Sequence, residues 1–229
     1  MTHQLTPLFN DTVLTDTVVM ILAGTLLGIG SFFYTKHAIR QRTGDAAGGF
    51  LLDHTTSWVL WAVFGAVGAG ITGFFRGLSF NGLEIVLLFV ILLSLSFIDN
   101  RIRKITNELI ILLLILKIVA LTVRQNTSEL GSALTGLAAG IILFSVPSAM
   151  GIKIGWGDIK FAGAVGFYLG LIGLFQAVLI MSAVLGIFAI YLCLFRKGSL
   201  KTMAPMGPAF SLGFFATWLF PIISKSIIL

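Results

Sequence analysis

Charge is scarce in this chain: only 10% of its 229 residues are Asp, Glu, Lys or Arg, and the mean hydropathy is +1.04. Those values exclude an ordinary soluble domain. Cysteine occurs once, at Cys193 within an apolar run, which rules out an intrachain disulfide or a cysteine metal cluster. The three histidines, His3, His37 and His54, lie outside the long apolar runs, leaving a Ser-His or Cys-His pair within the bundle without its base. No His-Glu-x-x-His occurs, so zincin chemistry has no ligand set. The first sixteen residues lack a basic start and include Asp11 and Asp16, so the first apolar run is expected to be a retained span and not a cleaved leader. No period of about 20 to 50 residues repeats, which excludes a solenoid or array.

What is present is apolar sequence, 57% of the chain. A spanning helix needs ~20 mostly apolar residues, and lipid tolerates no open sheet edge, so the expected fold is an all-α polytopic transmembrane bundle in a single domain, 1–229. About eight segments are expected. They run Thr17 to Phe33, Trp58 to Phe75, Leu83 to Ile98, Leu109 to Val123 and Gly131 to Met150, then two sharing Ile159 to Phe195, and a last anchored by Phe210 to Ile223. Gly170 and Gly173 mark the expected turn within the shared stretch, and residues 34–57 are expected to form a short loop. The 26 glycines, as in Gly65, Gly68 and Gly70 or Gly163, Gly166 and Gly170, are expected to let helices approach closely.

The net charge of +6 comes from short basic clusters between apolar runs, not from one basic surface, and no nucleic-acid partner is expected. Lys36, Arg40 and Arg42, then Arg101, Arg103 and Lys104, then Lys153 and Lys160, then Arg196, Lys197 and Lys201 fall on one side of the bundle. Arg76, Arg124 and Lys225 fall on the other, with Lys117 near them. Cytoplasmic loops carry the excess of Lys and Arg, so the first side is expected to be cytoplasmic, with both termini outside.

Ionisable groups inside a membrane bundle are functional candidates by default. Of nine acids, Asp11, Asp16, Asp45, Asp53 and Glu129 lie in the tail or loops, and Glu84 begins the third segment, where it is expected at the outer interface. Asp99, Glu108 and Asp158 remain, near cytoplasmic ends of segments. Glu108 fits a first-turn acid that favours the helix N-terminus. Asp99 ends one span and Asp158 begins another, so helix packing can pair them. Two close carboxylates hold one proton between them, and such a pair can hydrolyse a peptide without a covalent intermediate: one takes a proton from water while the other polarises the carbonyl. The alternative is that each is an independent interfacial residue or helix cap. Gly155 and Gly157 precede Asp158 and permit close approach of another strand.

Four stretches, in order, resemble the type IV prepilin peptidase family: Gly30-Ser31-Phe32; Asp99 to Asn107, with Thr106 where the family usually has proline; Gly155-Trp156-Gly157-Asp158-Ile159-Lys160; and Pro205-Met206-Gly207-Pro208, with Met206 in place of an aromatic residue. The resemblance implies that Asp99 and Asp158 are catalytic. It implies supporting or substrate-binding places for Gly155, Gly157, Lys160, Asn107, Pro205, Gly207 and Pro208. It further implies a multi-pass protein of the cell inner (plasma) membrane, with its site facing the cytoplasm, that removes the basic leader of pilin-like precursors ahead of their apolar helix. No metal or other cofactor is expected, and membrane lipid is the surrounding medium.

Larger bacterial members of that family carry four cysteines in the first cytoplasmic loop, and many also methylate the new N-terminus. The loop here has no cysteine, so a peptidase without methyltransferase activity is expected. Two alternatives stay open. A presenilin-like intramembrane protease shares Gly-x-Gly-Asp but has Tyr before its first Asp, where this chain has Ile98, and Pro-Ala-Leu where this chain has the Pro205 motif. A non-catalytic transporter or assembly subunit using Asp99 and Asp158 for ion coupling should show repeat-related halves, and none is evident.

Overall fold

The computed structural model describes residues 11–43, 54, 56–125, 127–152, 154–195 and 206–221. Among these the regular structure is entirely α-helical: α1 Asp11–Thr43, α2 Ser57–Arg76, α3 Phe80–Ile102, α4 Asn107–Arg124, α5 Thr127–Ala149, α6 Trp156–Phe195 and α7 Met206–Leu219. Five of these helices, α1, α2, α3, α5 and α6, are long and apolar enough to cross a membrane. The 18 residues of α4 include Glu108, Lys117 and Arg124, and α7 covers 14 described residues.

One expectation is corrected here. Residues 34–43, assigned to a loop, continue α1, because Lys36, Arg40 and Arg42 end the apolar run without ending the helix. Cations in a last helical turn favour the negative end of the helix dipole.

The chain forms two compact units, Met1–Ser94 and Leu95–Leu229, the division falling within α3. In the first unit α1 and α2 pack at backbone contact: a Cβ added to Gly24 would overlap the Gly65 carbonyl, and one on Gly65 would overlap that of Gly24. Buried Met20, Ala69 and Val86 form a core cluster against which Leu27 packs. Without a hydrophobic drive between helices in lipid, such small-residue faces gain dispersion contact that larger side chains would prevent.

The second unit repeats the device between α5 and α6, where Gly136 meets Gly166 and Gly140 meets the Ala162 carbonyl. Gly170 interrupts α6 with φ 73° and ψ 179°, a combination essentially confined to glycine. The interruption reverses the chain. From α7, Phe210 meets Phe161 and Tyr168 meets Phe214, each with ring centroids 5.2 Å apart. Gly173 then faces Thr217, Gly213 faces Ala177 and Met181, and Pro208 and Leu212 share a cavity wall with Val184 and Phe188. The α7 numbering therefore rises with one arm of α6 and falls with the other. A continuous helix at ~1.5 Å per residue could not bring Phe161 and Val184 to the same place. The expected turn is found at Gly170.

Candidate active site

Asp99 lies in the last turn of α3, and Asp158 in the first turn of α6. Both belong to the second unit. Asp99 is 5% exposed and Asp158 half-buried, and the two carboxylates lie within electrostatic reach of each other. The α3 helix stops immediately afterwards: Arg103 takes φ 51°, and its N–H donates to the Asp99 carbonyl at 2.8 Å. That left-handed closure is common with glycine but uncommon with arginine. It keeps the Arg103 charge near Asp99.

Gly155, Gly157 and Gly207 each meet a particular neighbour. Gly207, at the start of α7, donates its N–H to Asp99 Oδ2 at 2.8 Å, and a Cβ there would stand 2.7 Å from the same oxygen. Charge-assisted bonds of this kind are worth ~1.5–3 kcal/mol. A Cβ on Gly155 would stand 2.9 Å from Asp158 Oδ2. Gly157 faces the turn after α3, where a Cβ would lie 3.1 Å from the Ile105 Cβ. The absent side chains thus let the backbone at Gly155 and Gly207 close on the carboxylates, and at Gly157 on the Ile105 turn.

Asn107 and Lys160 are also brought together, at the exposed rim: the Lys160 ammonium donates to Asn107 Oδ1 at 3.2 Å, tying the first turn of α6 to that of α4. Pro208 continues α7 beside Gly207, whereas Pro205 lies outside the described residues. Trp156, between the two glycines, is 78% exposed. Gly30 has nothing within 4 Å of where a Cβ would stand and belongs to the first unit.

A cavity of about 370 Å³ has in its walls Asn100 and Pro208, the chain neighbours of Asp99 and Gly207, together with Ser96, Phe97, Leu185 and Phe188. Sequence alone does not disclose it, because its walls come from α3, the second arm of α6 and α7. Nor does it disclose Arg103 as a neighbour of Asp99, since the signal is a backbone angle. Among the described residues no group of three or more His, Cys, Asp or Glu is placed to hold a metal ion.

Two carboxyl groups within electrostatic reach of each other, one of them bonded by a backbone N–H, can accept a proton from water and donate one to a carbonyl oxygen. Residues 86–191, which include both acids, match the type IV leader peptidase family. No curated protein and no solved structure matches the chain.

Proposed function

We propose that this chain, whose residues 86–191 match the type IV leader peptidase family, is an integral membrane aspartyl endopeptidase whose dyad is Asp99 and Asp158. The observation that carries the proposal is the convergence on these two acids of Gly155 and Gly207, with Gly157 closed against the Ile105 turn between them in sequence. Independent interfacial acids would need no such enclosure.

In the proposed reaction the ionised carboxylate takes a proton from water as its oxygen attacks the scissile carbonyl, and the protonated carboxyl donates to the carbonyl oxygen. Collapse of the tetrahedral intermediate breaks the C–N bond and returns a proton to the departing amine. The substrates are pilin-like precursors, and the leader junction sits at the cytoplasmic boundary of an eight-span bundle with both termini outside. The apolar cavity beside Asn100 is suited to the first residues of the apolar segment that follows the junction. Lys160 and Asn107, bonded to each other and exposed, are the groups offered to the polar side of the substrate.

The test is coexpression with candidate precursors followed by mass measurement of the product N-terminus. Loss of the basic leader only when this chain is present is the expected result, with no added methyl group. Unchanged precursors would count against the proposal.

A further inference from the structure

Three helices of the second unit line the cavity of about 370 Å³, and each does so with residues four apart: Ser96 and Asn100 of α3, Val184 and Phe188 of α6, Pro208 and Leu212 of α7. Residues at that spacing lie one above the other on a helix face, about 6 Å apart along the axis. The cavity is therefore walled in two rungs. Asn100 and Pro208 directly follow Asp99 and Gly207, which the 2.8 Å hydrogen bond joins, so they form part of the rung nearer the acid. The second arm of α6 runs antiparallel to α7, since Gly173 faces Thr217 and Gly213 faces Ala177 and Met181. Phe188 accordingly stands on the level of Pro208, and Val184 on that of Leu212.

The spacing of the rungs selects which part of a substrate each can meet. Asn100 is one Cα–Cα step, ~3.8 Å, from Asp99, and an extended peptide advances ~3.3–3.6 Å per residue. From a scissile carbonyl held at the acids, one residue of substrate reaches the near rung, whereas the far rung is about 6 Å deeper. Apart from Ser96 and Asn100 every wall residue is apolar, which suits the apolar segment after the junction and not the basic leader before it. That assignment rests on the function proposed above. An apolar cavity of ~150 Å³ holds a benzene ring, so this one has room for an aromatic side chain. In the near rung Phe188 is the large apolar side chain, and at 40% exposure its ring has a free face. We propose that Phe188 is a specificity-determining residue, its ring packing on the side chain of the first substrate residue after the cut and thereby favouring a large apolar one there.

The experiment compares full-length wild type, Phe188→Ala, Leu212→Ala and Asp99→Asn in detergent. The substrates are two synthetic precursors, each with a short basic leader ending in Gly and an apolar helix after it, that differ only in having Phe or Ala directly after that Gly. The readout is the ratio of kcat/KM for the two substrates on one preparation, which a loss of folded protein leaves unchanged. Wild type is expected to prefer Phe at least about tenfold, the order of magnitude for burying an aromatic side chain. In Phe188→Ala the ratio should fall below about threefold. In Leu212→Ala, which alters the far rung, it should stay within about twofold of wild type whatever happens to the rate. A wild-type ratio below about threefold, or one that Phe188→Ala leaves in place, would overturn the inference while the function stands. An equal fall in Leu212→Ala would overturn it as well, by showing that the cavity does not read the first residue at its near rung. Failure of wild type to cleave either precursor, or full activity in Asp99→Asn, would overturn the proposed function and this inference with it.

Discussion

Asp99 and Gly207 are 108 residues apart in sequence and joined by a 2.8 Å bond from the glycine N–H to the aspartate Oδ2. The start of α7 is thereby fixed to the end of α3, and the carboxylate keeps its other oxygen for chemistry.

Asp99→Asn and Asp158→Asn should each reduce cleavage to less than about a tenth of wild type, a barrier increase above ~1.4 kcal/mol, while the protein still inserts. The double variant should be scarcely worse than either single one, since the two acids act jointly. Glu108→Gln and Glu84→Gln should retain substantial activity. Initial cleavage rates normalised to folded protein decide the matter, and near-neutral Asn variants would rule out a dyad.

Glycine substitutions should divide according to what the added methyl meets. Gly207→Ala places carbon 2.7 Å from the Asp99 Cβ and Oδ2, so it should cost ~1–3 kcal/mol of stability and cut cleavage more than about tenfold. Gly131→Ala and Gly186→Ala meet nothing within 4 Å, lie in helices, and should be neutral or stabilising by up to ~1 kcal/mol. Thermal unfolding in detergent alongside cleavage rates separates the two classes.

How far the sequence discloses this arrangement depends on what kind of cause is at work. Asp99 and Asp158 are legible because ionisable groups stand out against an apolar chain, and the reversal at Gly170 because 40 residues of apolar helix are too long for one crossing. Helix ends are less legible: hydropathy stops at the first charge, whereas the hydrogen-bond ladder of α1 runs on to Thr43. Glu84, expected at an interface, is 1% exposed, since α3 begins at Phe80 and carries it a turn into the first unit. Which face of a uniformly apolar helix is covered leaves little periodic trace, and so the burial of Glu84 has no sequence signal.

Lys117 illustrates the same point and permits an asymmetric test. Its sequence position puts it near the outer loop; its ammonium sits 3.5 Å from Glu129 Oε2 and 5.5 Å from the centroid of the Tyr168 ring, with a side chain only 9% exposed. Lys117→Met should change stability by less than ~1 kcal/mol, because an apolar side chain of similar length replaces a buried cation whose partner is 35% exposed. Glu129→Gln, which leaves the cation buried with less compensation, should cost ~1–3 kcal/mol. Melting temperatures in a common detergent compare them, and equal losses would contradict the asymmetry. Cleavage should be unaffected in Lys117→Met.

Chelation should leave leader cleavage intact, since the proposed dyad activates water with its own carboxylates. Assays with and without EDTA provide the check. Activity abolished by the chelator and restored by zinc would require a different mechanism.

The reversal at Gly170 sets a parity. Between Asp158 and Gly207 the chain travels out along one arm of α6 and back along the other, so an even number of passes separates two residues that must work at the same level. A residue unable to hold φ 73° and ψ 179° would do more than strain one peptide. Were α6 to straighten, the pass number would become odd and α7 would start at the far end of the unit. The hydrogen bond to Asp99 would then have no donor within reach. The position of one side-chain-free residue in the middle of an apolar helix thus determines whether the two ends of the proposed catalytic sequence can meet at all.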